Sequence, residues 1–69
     1  GENIVVLGIL RGMAHAGAKG NKEAIIAAAS IESPQVRIAN IVKEIEKEEL
    51  EGNLKTCAYV NEKDEVILE

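Results

Sequence analysis

Gly8-Ile9-Leu10-Arg11-Gly12-Met13-Ala14-His15-Ala16-Gly17-Ala18-Lys19-Gly20 is the stretch that decides the fold. It spaces small and apolar residues regularly and holds little that a helix favours. Extending it by four residues on the N-terminal side, Ile4, Leu10 and Ala16 recur every six residues, as do Gly8, Ala14 and Gly20. That is the period expected when short strands turn repeated corners. Glycine suits such corners because, without a Cβ, it reaches positive φ and lets successive coils approach closely. The pattern predicts an all-β chain wound as a β-solenoid.

Outward from this stretch the segments read as follows. Residues 3–7 are an apolar, β-branched run ending at Gly8, the mark of a strand buried on both faces or lying between neighbouring coils. Leu10 to Ala16 reads as a second strand, and Gly17 to Lys22 as a glycine-punctuated surface loop. Ala24 to Ser30 mixes helix-favouring alanines with Ile25-Ile26, and the solenoid context selects a strand. Alternation then puts Ile25, Ala27 and Ala29 on one side and Ile26, Ala28 and Ser30 on the other. Both sides are nearly apolar, so the strand needs two coverings. One is the solenoid interior. The other is a second subunit, which makes Ile25, Ile26, Ala27 and Ala28 candidates for a dimer surface, or else a loop or the C-terminal segment of the same chain.

Ser33-Pro34 marks a further corner, after which Gln35 to Ala39 alternates, with Val36 and Ile38 inward and Gln35, Arg37 and Ala39 outward. Between Asn40 and Gly52 the composition becomes acidic, and Ile41, Ile45 and Leu50 fall on one helical stripe. A short helix capped by Asn40 and ended by Gly52, or a flexible acidic loop, is expected over 41–51. Lys55 to Val60 and Glu65 to Leu68 read as two strands joined by the turn Asn61-Glu62-Lys63-Asp64, placed to cap the open end of the solenoid.

Sixty-nine residues make one small domain that buries about 60% of its unfolded surface and gains from a partner. With no Phe or Trp and a single Tyr, its core must be built from Ile, Val, Leu and Ala in narrow layers, and neither a large cofactor cavity nor a bound cofactor is expected. A formal net charge of −4 argues against nucleic-acid binding, which draws on clustered cations. Gly17-Ala18-Lys19-Gly20 has the form of the loop with which a KH module clamps a nucleic-acid backbone, but strand-like residues stand where that module places a helix. Gly20 is followed by Asn21-Lys22 rather than Lys-Ser/Thr, so the loop is no P-loop.

Cys57 alone gives no disulfide framework and is compatible with a reducing cytoplasm, and His15 has no ligands or nucleophile at a suggestive spacing. A non-enzymatic chain without a metal site is therefore expected. No run of about 18 apolar residues predicts direct insertion into a membrane. The start at Gly1, already close to an apolar strand, suggests a piece of a longer protein. Arg11 is the residue best suited to partner recognition: it points opposite to Leu10, is uncrowded by Gly12, and carries a fork that pairs with carboxylates.

Asn3-Ile4-Val5-Val6-Leu7-Gly8, the unbroken Leu10-Arg11-Gly12-Met13-Ala14-His15-Ala16-Gly17 block and Gly20-Asn21 give the chain a specific resemblance. It resembles the C-terminal domain family of the bacterial septum site-determining protein MinC, most densely over residues 2–40 and more weakly through Cys57-Ala58-Tyr59-Val60-Asn61-Glu62. The resemblance implies a right-handed β-helix of triangular cross-section, here its later coils, that forms a homodimer and docks on the membrane-associated ATPase MinD. The domain would then be cytoplasmic and reach the inner face of the membrane through MinD, while its parent protein inhibits assembly of the FtsZ division ring. In the family, MinD recognition is associated with a face that includes an Arg-Ser-Gly-Gln element on an earlier coil. No such element occurs here. Arg11 and Gly12 would stack against that position and supply the remaining edge of the face. The alternative is a structural, polymer-forming solenoid scaffold of the bactofilin kind.

Overall fold

A computed structural model describes residues 3–17 and 19–69. Its elements in chain order are β1 (Ile4–Leu10), β2 (Ala14–Ala16), β3 (Ile26–Ile31), β4 (Gln35–Ile38), β5 (Ile41–Glu44), a single turn of helix α1 (Lys47–Leu50), β6 (Cys57–Val60) and β7 (Val66–Leu68). The fold is all-β apart from α1. One sheet has the order β1-β3-β6-β7 and the other β2-β4-β5. The chain crosses from the first sheet to the second between β1 and β2, returns for β3, and crosses again to β4. Both first-pass strands then lie parallel to their successors, with Ile4 beside Ile26 and Ala14 beside Val36, 22 positions apart in each case.

The core is the thin space between the sheets, filled by Ala14, Ala16, Ala24, Ile26, Ile31, Val36, Ile38 and Ala58. Four of these eight are alanines and the others Ile or Val, so the core is built from small and medium aliphatic side chains. Ile4 and Leu10 pack against this core from β1 and Ala16 is buried within it, so the six-residue apolar series points inward. The small-residue series does not mark repeated corners: Gly8 lies within β1 and Ala14 within β2, and only Gly20, at φ +87°, occupies a turn.

The structure differs from the sequence reading at several points. Leu10 ends β1 instead of opening a second strand, because a β-bulge between Val6 and Ile9 absorbs Gly8 and lets β1 run on beside β3. Nor is β1 buried on both faces: Val5 and Leu7 are 68% and 96% exposed. The acidic stretch differs more. Ile41 to Glu44 is neither helix nor loop but a strand antiparallel to β4, entered through a tight reversal in which Ala39 adopts φ +56°. Ala39 is consequently buried, not outward as simple alternation predicts. The free edge of β4 offers a complete ladder of hydrogen bonds, whereas a helix of about ten residues is marginal by itself. Only Lys47 to Leu50 stays helical, and its N-cap is Glu46, not Asn40.

The C-terminal strands form the expected hairpin, and β6 pairs with β3 through Ile26↔Ala58 and Ala27↔Cys57. The hairpin thereby satisfies the edge that β3 would otherwise leave open. The junction of α1 with β5 is held by Glu49, whose carboxylate accepts the Glu46 backbone N–H at 2.9 Å and pairs with Lys43 at 3.0 Å. These two contacts hold its pKa below the ordinary carboxylate value. A lowered folded-state pKa stabilises the native chain above the unfolded value, about 4.3, and the gain disappears as pH falls through the folded one. The stability difference between the native chain and Glu49→Gln, measured by urea denaturation, is therefore expected at pH 7 and should shrink progressively as the pH is lowered below the unfolded carboxylate value.

Gly17 leaves β2 at φ +63°, and a Cβ there would run into the Asn21 carbonyl oxygen. At Gly12 an added Cβ meets nothing within 4 Å, and the backbone is not left-handed. Gly17→Ala should lower the unfolding free energy by about 1–3 kcal/mol, while Gly12→Ala should change it by less than about 0.5 kcal/mol. Chemical denaturation of both variants tests the contrast.

Candidate functional site

The turn between β1 and β2, which carries Arg11 and Gly12, is one of two stacked corners. The other is Glu32-Ser33-Pro34, between β3 and β4. The Leu10 carbonyl joins them, accepting the Glu32 N–H at 2.7 Å and the Ser33 hydroxyl at 3.2 Å. Ser33 is fully buried, so this bond satisfies a hydroxyl that would otherwise be costly to enclose. The second corner is braced in turn by the Pro34 carbonyl, which accepts the Ile45 N–H at 2.9 Å. Arg11 projects from this rigid base and meets Glu32 at 3.6 Å, with both side chains well exposed. An ion pair of that length in water contributes little to stability, so the guanidinium can exchange Glu32 for a partner's carboxylate. Glu32 carries no signal of this role in the sequence, because only the stacking of corners brings it to Arg11.

The four dimer-surface candidates divide between two sides of β3 and its entry. Ile26 is completely buried and so unavailable to a partner, and Ala28 is half-buried with its side chain packed against the core. Ile25, just before β3, is exposed, and Ala27 is half-buried on the outer side. What the sequence reading missed is the continuation of that outer side onto β1, where Val5 pairs in register with Ala27 and Leu7 follows it. The alternation of Ile4-Val5-Val6-Leu7 held the signal, hidden by the fact that all four residues are apolar. Cys57, opposite Ala27, and Tyr59 extend the same side across β6. The Tyr59 hydroxyl donates to the Glu69 carboxylate at 3.1 Å, and that anion pushes the phenol's pKa above its ordinary value.

His15 stands on the outer face of β2, its Nε2 3.1 Å from the Ala39 carbonyl oxygen. Among the described residues no cluster of His, Cys, Asp and Glu is close enough to hold a metal ion. Gly17 and Gly20 close a turn through a 2.9 Å bond from the Gly20 N–H to the Gly17 carbonyl, preceded by strand β2 rather than a helix. Ala18, within that loop, and Gly1 lie outside the described residues. Among the described residues no helix is long and apolar enough to cross a membrane.

The model of the septum formation inhibitor MinC, C-terminal domain, matches residues 1–69. The chain belongs to that family. It is 44% identical over 70 positions to the probable septum site-determining protein MinC of Geobacillus thermodenitrificans, a match covering 100% of this chain and 31% of that protein. To the corresponding protein of Bacillus pumilus it is 44% identical over 69 positions, covering 100% of this chain and 30% of the relative. Among solved structures it is similar to a chain of the MinC:MinD cell division protein complex of Aquifex aeolicus, with a TM-score of 0.83 at 30% identity, covering 100% of this chain and 56% of that one. The chain thus spans about a third of the length of the curated relatives it matches. The family regulates septum placement, and the stacked corners of this chain are where its partner-recognition candidates lie.

Proposed function

We propose that this MinC C-terminal domain is a non-enzymatic interaction module that pairs with a second copy of itself and docks on the membrane-associated ATPase MinD. The similarity of the whole chain to MinC from a MinC:MinD complex carries this reading. In it, the parallel pairing of β1 with β3 and of β2 with β4 represents the later coils of a right-handed, triangular β-helix forming one domain over residues 1–69. Docking begins at Arg11, with Gly12 keeping the corner free of side chain, and brings the parent protein from the cytoplasm to the inner face of the membrane. There the parent restrains FtsZ assembly away from midcell. The acidic balance and the absence of a helix before the Gly17 to Gly20 turn favour this over nucleic-acid binding.

Self-association uses the outer side of the β1-β3-β6-β7 sheet. Val5 and Leu7 are too exposed to serve the core, and Ile25, Ala27, Cys57 and Tyr59 widen the apolar surface beside them. A two-fold partner presenting the same surface covers both copies at once. The polymeric-scaffold reading fares less well, because the last strands, β5 and β7, are each antiparallel to their neighbours. Head-to-tail growth would continue the parallel stacking of the first coils instead.

Cosedimentation with MinD on anionic liposomes tests docking: ATP-dependent recruitment is expected, falling about tenfold in Arg11→Ala. Recruitment that ignores ATP, or fails for the folded native chain, refutes it. Sedimentation of Leu7→Glu tests the self-association surface. A monomer with the native circular dichroism spectrum is expected, against a dimer for the native chain.

A further inference from the structure

We propose that the docking surface begun by Arg11 and Gly12 continues over the outer face of the β2-β4-β5 sheet, where Arg37 receives a carboxylate from the same protein partner. The inference rests on the docking reading above and deepens it. Arg37 lies at the centre of this face, between His15 of β2 and Val42 of β5, each its partner in register. Its Nε donates to the Ala39 carbonyl at 2.9 Å, the oxygen that His15 Nε2 also approaches, at 3.1 Å. One nitrogen thus fixes the plane of the guanidinium and leaves its terminal nitrogens directed elsewhere. Arg11, Lys22 and Lys43 each pair with a carboxylate, whereas none among the described residues pairs with Arg37.

An oriented, half-buried guanidinium without an anion is suited to two-pronged pairing with a carboxylate, since it loses little side-chain freedom on binding. Its surroundings match that use. Met13 and Val42, 69% and 50% exposed, flank the site with apolar surface that would exclude water from the ion pair once covered. The surface is also continuous with the proposed docking corner. Met13 follows Gly12 directly, and the Gln35 amide reaches Met13 Sδ at 3.4 Å, tying the corner to β4 on the same outer side as Arg37.

Titration against ATP-loaded MinD on anionic liposomes, with Arg11→Ala in parallel, tests the proposal through two independent substitutions. Arg37→Gln removes the charge. Val42→Glu keeps Arg37 and its contact with Ala39 but sets a carboxylate directly across from it, occupying the fork from within. Each should weaken binding about tenfold, and Val42→Gln by less than about threefold, with native circular dichroism and unchanged oligomeric state. Native binding by both folded variants while Arg11→Ala is impaired overturns this inference alone, and so does loss in one folded variant but not the other. If Arg37→Gln unfolds, the comparison of Val42→Glu with Val42→Gln decides it. A native chain that fails to bind overturns the docking reading and this inference with it.

Discussion

Parallel pairing of β1 with β3 and of β2 with β4 obliges the chain to return to the same place after 22 residues, and the rest of the structure depends on that closure. Two corners must stack, which explains why the Leu10 carbonyl gathers two donors from the next corner and why Ser33, a polar residue, is completely buried. The return from β2 to β3 must also be tight at its start, so the chain leaves β2 through a left-handed Gly17 where no Cβ fits. Asn3 and Asn21 secure the far side of the same loop, accepting the Ile25 and Glu23 backbone N–H groups, each at 2.9 Å. Side-chain amides of this kind replace ladder bonds where the backbone changes direction.

The all-β character, the inward positions of Ile4, Leu10 and Ala16, the corner at Ser33-Pro34 and the C-terminal hairpin were legible because each follows from local alternation or turn chemistry. The coil repeat was not, since a spacing of six measures apolar positions along the path, whereas the closure of the path depends on a bulge and a loop with no periodic signature. Ile41 to Glu44 shows a second limit. Its helical stripe and its strand alternation are both present in the residues, and the open edge of β4, invisible locally, decides between them. The candidate site was legible in part for the same reason. Arg11 stands out by chemical type and the glycine beside it, but Glu32 joins it only through corner stacking, and Arg37 becomes informative only once no carboxylate among the described residues proves to pair with it.

The inner and outer sides of the sheets are under different constraints. Inward positions carry close-packed Ala, Val and Ile, leaving little latitude for substitution. The outer sides are free of that constraint, and they differ. Beyond the β1-β3-β6-β7 sheet lie Val5, Leu7, Ile25 and Ala27, with no charge among them, while beyond the β2-β4-β5 sheet lie His15, Gln35, Arg37 and Glu44. An apolar face suits a permanent partner of identical composition, and a face carrying a fixed cation suits a partner that arrives and leaves.

That division also bears on stability. A domain of this size buries a modest fraction of its surface, and a core in which four of the ten clustered residues are alanine extracts less from each buried residue than one with larger side chains. In the reading proposed here, a second copy covering Val5 and Leu7 adds apolar burial to β1 and β3, the strands whose inward residues already form much of the core. Association and folding then draw on the same strands, so the dimer supports the parallel register instead of merely joining two finished domains. The proposed docking corner lies at the end of β1, where the Leu10 carbonyl meets Glu32 and Ser33. Register fixed along β1 is therefore transmitted, through those two bonds, to the position from which Arg11 projects.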